Sequence, residues 1–301
     1  MILCCGEALI DMLPRVTAAQ EDTYMPDPGG AVHNTAVALG RLGAKAGFFS
    51  GMSSDPFGQL LRDKLDACGV DHTMSVTSDR PTTLAFVKLT NGHATYFFYD
   101  ENTAGRMLSA NDLPDVDADA MFFGGISLVV EPCGAAYETL MLREAPHRLT
   151  MIDPNIRPSF IKDEAAYRAR INRMMSAADI VKTSDEDLEW ISGGTDATVL
   201  LDGTKTQVVL LTKGSKGVTI LTRDGTCDVA ADKAVVVDTV GAGDTFNAGF
   251  LEGLSRGGNL SKTALANATM DDLAAAATLG AKAAAITVSR AGANPPWTHE
   301  L

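Results

Sequence analysis

The stretch VVVDTVGAGDTFNAGF, from Val235 to Phe250, places one carboxylate, Asp244, directly after Gly241, Ala242 and Gly243. A β-branched run ends there and an apolar-periodic segment begins. A helix starting at Gly241 would present unpaired backbone N–H groups and the positive end of its dipole. Glycines let an anion approach that backbone, because no Cβ intervenes. Such amides suit a phosphate, or the charge developing on a phosphoryl group in transfer. An acid repels a bare phosphate, so a site that only bound one has no use for Asp244. A neutral hydroxyl attacking phosphorus must lose its proton, and Asp244 could take it as general base while the amides stabilise the group in flight. Two plainer readings stay open from this stretch alone: small residues pack well at such turns, and the dipole favours an acid in a helix's first turn. A dinucleotide fingerprint is disfavoured because Phe246 stands where the third glycine belongs, and no P-loop motif occurs.

The elements that must hold this turn follow from hydrophobic patterning. Short apolar runs alternate with longer periodic segments: MILCCGEALI before AVHNTAVALGRL, and AGFFSGM before FGQLLRDKLDAC. AMFFGGI, LTMIDPN, ADIVKTS, QVVLLTKG and AVVVDTVG continue the set of expected strands. Continuous apolar strands separated by helices imply a parallel sheet covered on both faces, hence an α/β, doubly wound fold. Gly43 and Gly69 fall where left-handed helix stops are expected. One region breaks the alternation. Residues 82–100 read as two strands around Asn91-Gly92, a hairpin dipeptide, and the segment after Asp11 also lacks a helical period. Two such excursions, about 11–26 and 82–100, can pair into a small separate sheet. That sheet is either an ordinary surface hairpin or a lid over the carboxyl ends of the main strands.

At 301 residues the chain can bury a large core, and its 46% hydrophobic and 21% charged content is that of a globular protein. A net charge of −13 argues against a nucleic-acid or anionic-membrane surface, since either wants a basic stripe. The first fourteen residues carry Glu7 and Asp11 and no basic leader, so no signal peptide is expected. The Ala-rich stretch around Lys282 suits a buried helix rather than a bilayer span. Five cysteines without C-x-x-C spacing read as reduced thiols, which places the chain in the cytoplasm. The five histidines lack ligand spacing and read as surface or turn residues; Met174 and Met175 read as core filler. Cys133 and Cys227 have no neighbouring base that would make either a nucleophile.

DTVGAGDTFNAGF closely resembles the C-terminal motif of the ribokinase-like (PfkB) carbohydrate kinases. GGAVHNTAVALGRLG resembles their N-terminal glycine-pair element, and GEALIDMLP, GMSSDPFG, DPNIRPSF, KTSDEDL and LLTKGSKGV follow in the family's order. GEALIDMLP and DPNIRPSF look most like the fructokinases, with 2-keto-3-deoxygluconate kinases close behind. The resemblance covers essentially the whole chain, 1–301, as one kinase domain with a small β lid. It implies Asp244 as catalytic base and Gly241, Ala242 and Gly243 as the anion hole. It implies Asp11, Gly29, Gly30 and Asn34 as sugar contacts, with Arg157 reaching the sugar or phosphate. Lys213, Gly214 and Gly217 match the ATP-side turn. The family's N-x-x-E element appears as Ser184-x-x-Asp187, a shorter reach that points to water-mediated contact with Mg2+ and to no direct protein metal ligand. Val32 stands where many relatives have proline. Asp238 matches one monovalent-cation position, but Val240 offers no side-chain oxygen, so K+ dependence stays open.

The expected activity is transfer of the ATP γ-phosphoryl group to a sugar hydroxymethyl group, with fructose the first choice of acceptor. The alternatives are 2-keto-3-deoxygluconate, ribose or a nucleoside as acceptor, or a sugar-binding regulator that has lost turnover. An acidic acceptor would want a further cation, for which Arg106 is the candidate. Relatives often dimerise through their lids, which implies a homodimer.

Overall fold

The structure is a computed structural model that describes residues 1–90 and 93–301. In chain order the strands are β1 (Ile2–Cys5), β2 (Leu9–Val16), β3 (Asp22–Gly29), β4 (Ala46–Phe49), β5 (Gly51–Ser53), β6 (Val76–Ser78), β7 (Leu84–Thr90), β8 (His93–Tyr99), β9 (Ala120–Gly124), β10 (Leu149–Asp153), β11 (Ile180–Ser184), β12 (Val208–Thr212), β13 (Val218–Thr222) and β14 (Gly225–Val229). The helices are α1 (Ala31–Arg41), α2 (Pro56–Ala67), α3 (Cys133–Glu144), α4 (Glu164–Ala177), α5 (Asp185–Ser192), α6 (Ala242–Arg256), α7 (Lys262–Ala266) and α8 (Met270–Val288).

Eight strands form the main sheet in the order β14-β13-β12-β11-β10-β9-β1-β4. Pairing is parallel from β12 to β4 and antiparallel where β13 and β14 close one edge. The period-two alternation of a strand splits each apolar run between two cores. Ile2, Cys4, Phe48, Phe122 and Met151 face α1, α2, α6 and α8. Leu3, Cys5, Phe49, Phe123 and Ile152 face α3, α4 and α5. Both faces are therefore dry, as a parallel sheet requires, and the α/β doubly wound reading holds. All six parallel strands end at the same edge, which is where such sheets place ligands.

A second sheet has the order β3-β2-β7-β8. Asp11 pairs with Asp27 on one side and with Ala85 on the other, and Ala85 pairs with Phe98, so these four share one face. The turn expected at Asn91-Gly92 lies outside the described residues.

Three expectations are corrected. MILCCGEALI is two strands in two sheets. It breaks at Glu7, whose carboxylate leaves the ladder to bond the N–H groups of Ala31 and Ser127. The valine run before Asp238 forms no strand: Val237 N and Asp238 N both donate to Val288 O at the end of α8, and Val235 is 83% exposed. β-Propensity reports fit to a pleated, half-buried surface, and here no neighbouring strand supplies one. His33 is no surface residue; it is fully buried, edge-on to Phe48, and burial lowers its pKa to about 4, so the ring is neutral. All five cysteines are free, and no described helix is long and apolar enough to cross a membrane.

Candidate active site

α6 begins where the β-to-helix reading put it. Gly241 is its N-cap in the left-handed region, φ +76°, and a Cβ there would stand 2.7 Å from Ala293 Cβ. No side chain caps this end, so its first amides keep the capacity to bind an anion. Gly241, Gly243 and Asp244 line a cavity of about 320 Å³. Ala242 does not line it, and its N–H is turned to Thr239 O at 3.3 Å.

Asp244 is 8% exposed and accepts one side-chain hydrogen bond, from Asn34 Nδ2 at 3.0 Å. Burial raises its carboxyl pKa from 3.8 to about 7; the Asn34 bond opposes this, and the charge of Asp153 adds to it. A carboxyl poised near neutrality is what a general base requires. Asn34 lies one turn into α1, which follows Gly30 at φ +101°. Gly29 is tight for another reason: a Cβ there would overlap Asp11 Oδ2. Burial, and then the neighbouring Asp27, raise the Asp11 pKa to about 7 as well. Asp11, Gly30, Asn34 and Arg157 line the same cavity as Asp244. Arg157 donates to Ile156 O at 2.9 Å, and the loop carrying it turns at Asn155, φ +45°.

The expected nucleotide-side residues do not line this cavity. Ser184 caps α5 by accepting from Asp187 N, and Asp187 Oδ1 accepts from Ile156 N at 3.2 Å, bracing the Arg157 loop. Lys213 Nζ donates to Thr219 at 2.7 Å. Gly214 and Gly217 take positive φ in the β12–β13 turn, Gly217 because a Cβ would strike Val229 O. Asp238 accepts from Val240 N at 3.1 Å and Gly292 N at 2.9 Å, which joins the glycine turn to the segment after α8.

Several cavity residues escaped the sequence reading. Glu7 lies just past β1, Asp153 ends β10, Lys182 stands in the middle of β11, and Tyr96 and Phe98 enter from β8. Lys182 Nζ pairs with Asp153 Oδ2 at 2.9 Å, and Asn247 Nδ2 donates to the same oxygen at 2.8 Å. A signal existed: Glu7 and Lys182 interrupt apolar runs, and a charge inside a buried strand needs a partner or a task. Arg106 does not reach this cavity; it pairs with Asp100 at 3.1 Å and donates to Glu131 O. A larger cavity of about 500 Å³ lies between β8 and residues 159–162, but it contains neither the acid nor the glycine turn. The acid and the glycine turn meet in the smaller one.

Residues 1–300 match the family described as pfkB family carbohydrate kinase. A fructokinase from Rhizobium leguminosarum bv. trifolii is 51% identical over 274 residues, covering 89% of this chain and 83% of that protein. A crystal structure of fructokinase with bound ATP from Xylella fastidiosa superposes with a TM-score of 0.88 at 28% identity, over 97% of this chain and 93% of that one. Aminoimidazole riboside kinase from Salmonella enterica, complexed with aminoimidazole riboside and an ATP analog, gives 0.83 at 27% identity, over 97% and 94%.

Proposed function

We propose, because the chain belongs to the pfkB family of carbohydrate kinases, that it is a fructokinase, transferring the ATP γ-phosphoryl group to D-fructose to give fructose 6-phosphate. The observation that carries the chemistry is Asp244, buried beside an uncapped helix start with its pKa near 7. The sugar's hydroxymethyl oxygen attacks phosphorus, Asp244 takes its proton, and the bond to the β-phosphate breaks to release ADP. Amides of the Gly241–Gly243 turn stabilise the transferring group in a water-poor site, where fixed donors are worth most. Asp11, Gly29, Gly30 and Asn34 hold the sugar; Arg157 reaches the phosphate. The segments around Ser184, Lys213, Gly214 and Gly217 carry the nucleotide.

Mg2+, bound with ATP, would supply positive charge against the phosphates, and Asp187 is the residue that would hold it. Asp187 fits this ion, since burial and the Asp153 charge raise its pKa and leave a carboxylate short of positive charge. It would reach the ion through one of the waters that magnesium keeps, with no direct protein ligand.

Fructose is favoured over an acidic acceptor by the charges of the cavity. Glu7, Asp11, Asp153 and Asp244 face it, against Lys182 and Arg157, and Lys182 is already paired with Asp153. A sugar acid would meet surplus negative charge and no Arg106. A coupled assay across fructose, 2-keto-3-deoxygluconate, ribose and a nucleoside should give the highest kcat/KM with fructose. A higher value with the keto-acid would overturn the choice, and no turnover with any sugar would favour a binding regulator.

The four-stranded sheet is the lid in this reading, with Tyr96 and Phe98 turned to the cavity. Its other face carries an edge-to-face row of Tyr24, Phe86 and Tyr99, with Tyr99 63% exposed. An apolar aromatic row of this kind marks an interaction surface, and a second copy of the chain is the occupant we propose. Light scattering should report two chains, and Tyr24→Lys with Tyr99→Lys should report one. A wild-type mass of one chain would refute this.

A further inference from the structure

We infer that Lys182 is a further catalytic residue, whose buried ammonium donates hydrogen bonds to the phosphoryl group as it crosses the Gly241–Gly243 turn. The inference rests on the kinase reading and extends it to the lysine that opens KTSDEDL, a residue to which the resemblance gave no role. Lys182 is 5% exposed, yet it lines the cavity. An ammonium has three donors, and its single protein partner among the described residues is Asp153 Oδ2, at 2.9 Å. Two donors remain for a ligand. Nζ lies 3.4 Å from where a Cβ on Gly243 would stand, so the ammonium sits against the bare backbone of the glycine turn.

The pair is also fixed more firmly than an ion pair needs for its own sake. Asp153 accepts from Asn247 Nδ2 at 2.8 Å and from Asn155 N at 3.2 Å as well as from Lys182. These bonds set the carboxylate, and the carboxylate sets the ammonium. Burial alone would lower the lysine pKa, but the Asp153 charge and hydrogen bond outweigh it, so the group stays cationic. Stability does not explain such a pair. Apolar residues of similar volume often serve a core as well as a buried ion pair does, because both charges lose their water. A cation with spare donors beside an anion-binding turn is accounted for by an anion.

In the reaction the phosphorus–oxygen bond to the sugar forms as the bond to ADP breaks. The hydroxyl proton goes to Asp244, and Lys182 keeps its own protons throughout. Its contribution is to charge spread over the transferring oxygens, which grows towards the transition state.

Lys182→Gln alone would strand the Asp153 carboxylate, so the test pairs it with Asp153→Asn. That double variant leaves no unpaired charge and keeps hydrogen-bonding groups at both positions. Three measurements separate the possibilities: kcat, thermal melting, and ATP affinity by calorimetry without sugar. The double variant should melt within a few degrees of wild type, bind ATP within about tenfold, and lose about 10²–10³-fold in kcat. A folded double variant with near wild-type kcat would overturn the assignment, as would an ATP affinity that falls as far as kcat does. Wild-type protein without sugar-dependent turnover would bring down the kinase reading and this proposal with it, a result read before any variant is made.

Discussion

Asp244→Asn should lower kcat by about 10²–10⁴-fold and, at pH 8, leave a protein that melts higher than its parent. The two halves have one cause. Burial holds the Asp244 carboxyl near 7 in the folded chain, against 3.8 for the ordinary group. In the unfolded chain it therefore ionises first, and between these values the folded state binds the extra proton. Stability contributed by that proton falls as pH rises from about 4 to about 7, by about 1.4 kcal/mol per unit. Above 7 the native fold carries a buried anion that asparagine removes. The melting advantage of Asp244→Asn should shrink as pH approaches 4. The same ionisation sets the rate: a base must be unprotonated, so wild-type kcat/KM should rise with pH through about 7. Wild-type turnover in Asp244→Asn would refute the mechanism, and a lower melting point at pH 8 would refute the account of its burial.

Gly249→Ala should destabilise the protein despite improving the helix propensity of α6. Gly249 and Gly253, four residues apart on α6, meet Gly280 and Ala276, four apart on α8. A Cβ at 249 would lie 2.6 Å from Gly280 Cα and 2.9 Å from its N, and one at 253 would lie 2.5 Å from Ala276 Cα. These are backbone atoms with no rotamer to yield. Alanine in a helix gains about 1 kcal/mol over glycine, whereas overpacking costs about 1–3 kcal/mol and occasionally more. The melting point should fall by several degrees, which calorimetry would measure. Activity should fall with it, because prying α6 from α8 moves Asp244 at one end of the seam and Asn247, which holds Asp153. A variant as stable and active as wild type would show that the two helices slide apart freely.

What could be read beforehand follows from how local each signal is. Gly241 and Asp244 are neighbours in sequence, so their helix start, and the chemistry it permits, were visible in a few letters. The main sheet was legible because its strands are apolar on both faces. Ser184 and Lys213 were legible as polar residues, but each is engaged locally, with Asp187 N and Thr219, and neither lines the cavity with the acid. Lys182 went unnoticed because its meaning depends on Asp153, 29 residues away, and Glu7 because it bonds Ser127, 120 residues away. The valine run misled because three β-branched residues favour a strand only where a partner strand exists.

The Asn34–Asp244 hydrogen bond joins residues 210 positions apart. A ribosome therefore makes the half of this cavity that carries Asn34 long before the half that carries Asp244. Until α6 emerges, the flank of α1 that carries Thr35, whose hydroxyl donates to Asp244 O, has no helix to lean on. The chain cannot begin to spend ATP before it is nearly finished, and any product cut short before residue 242 is inert. Closing so long a loop is slow, and the interval is when a chaperone would find this protein.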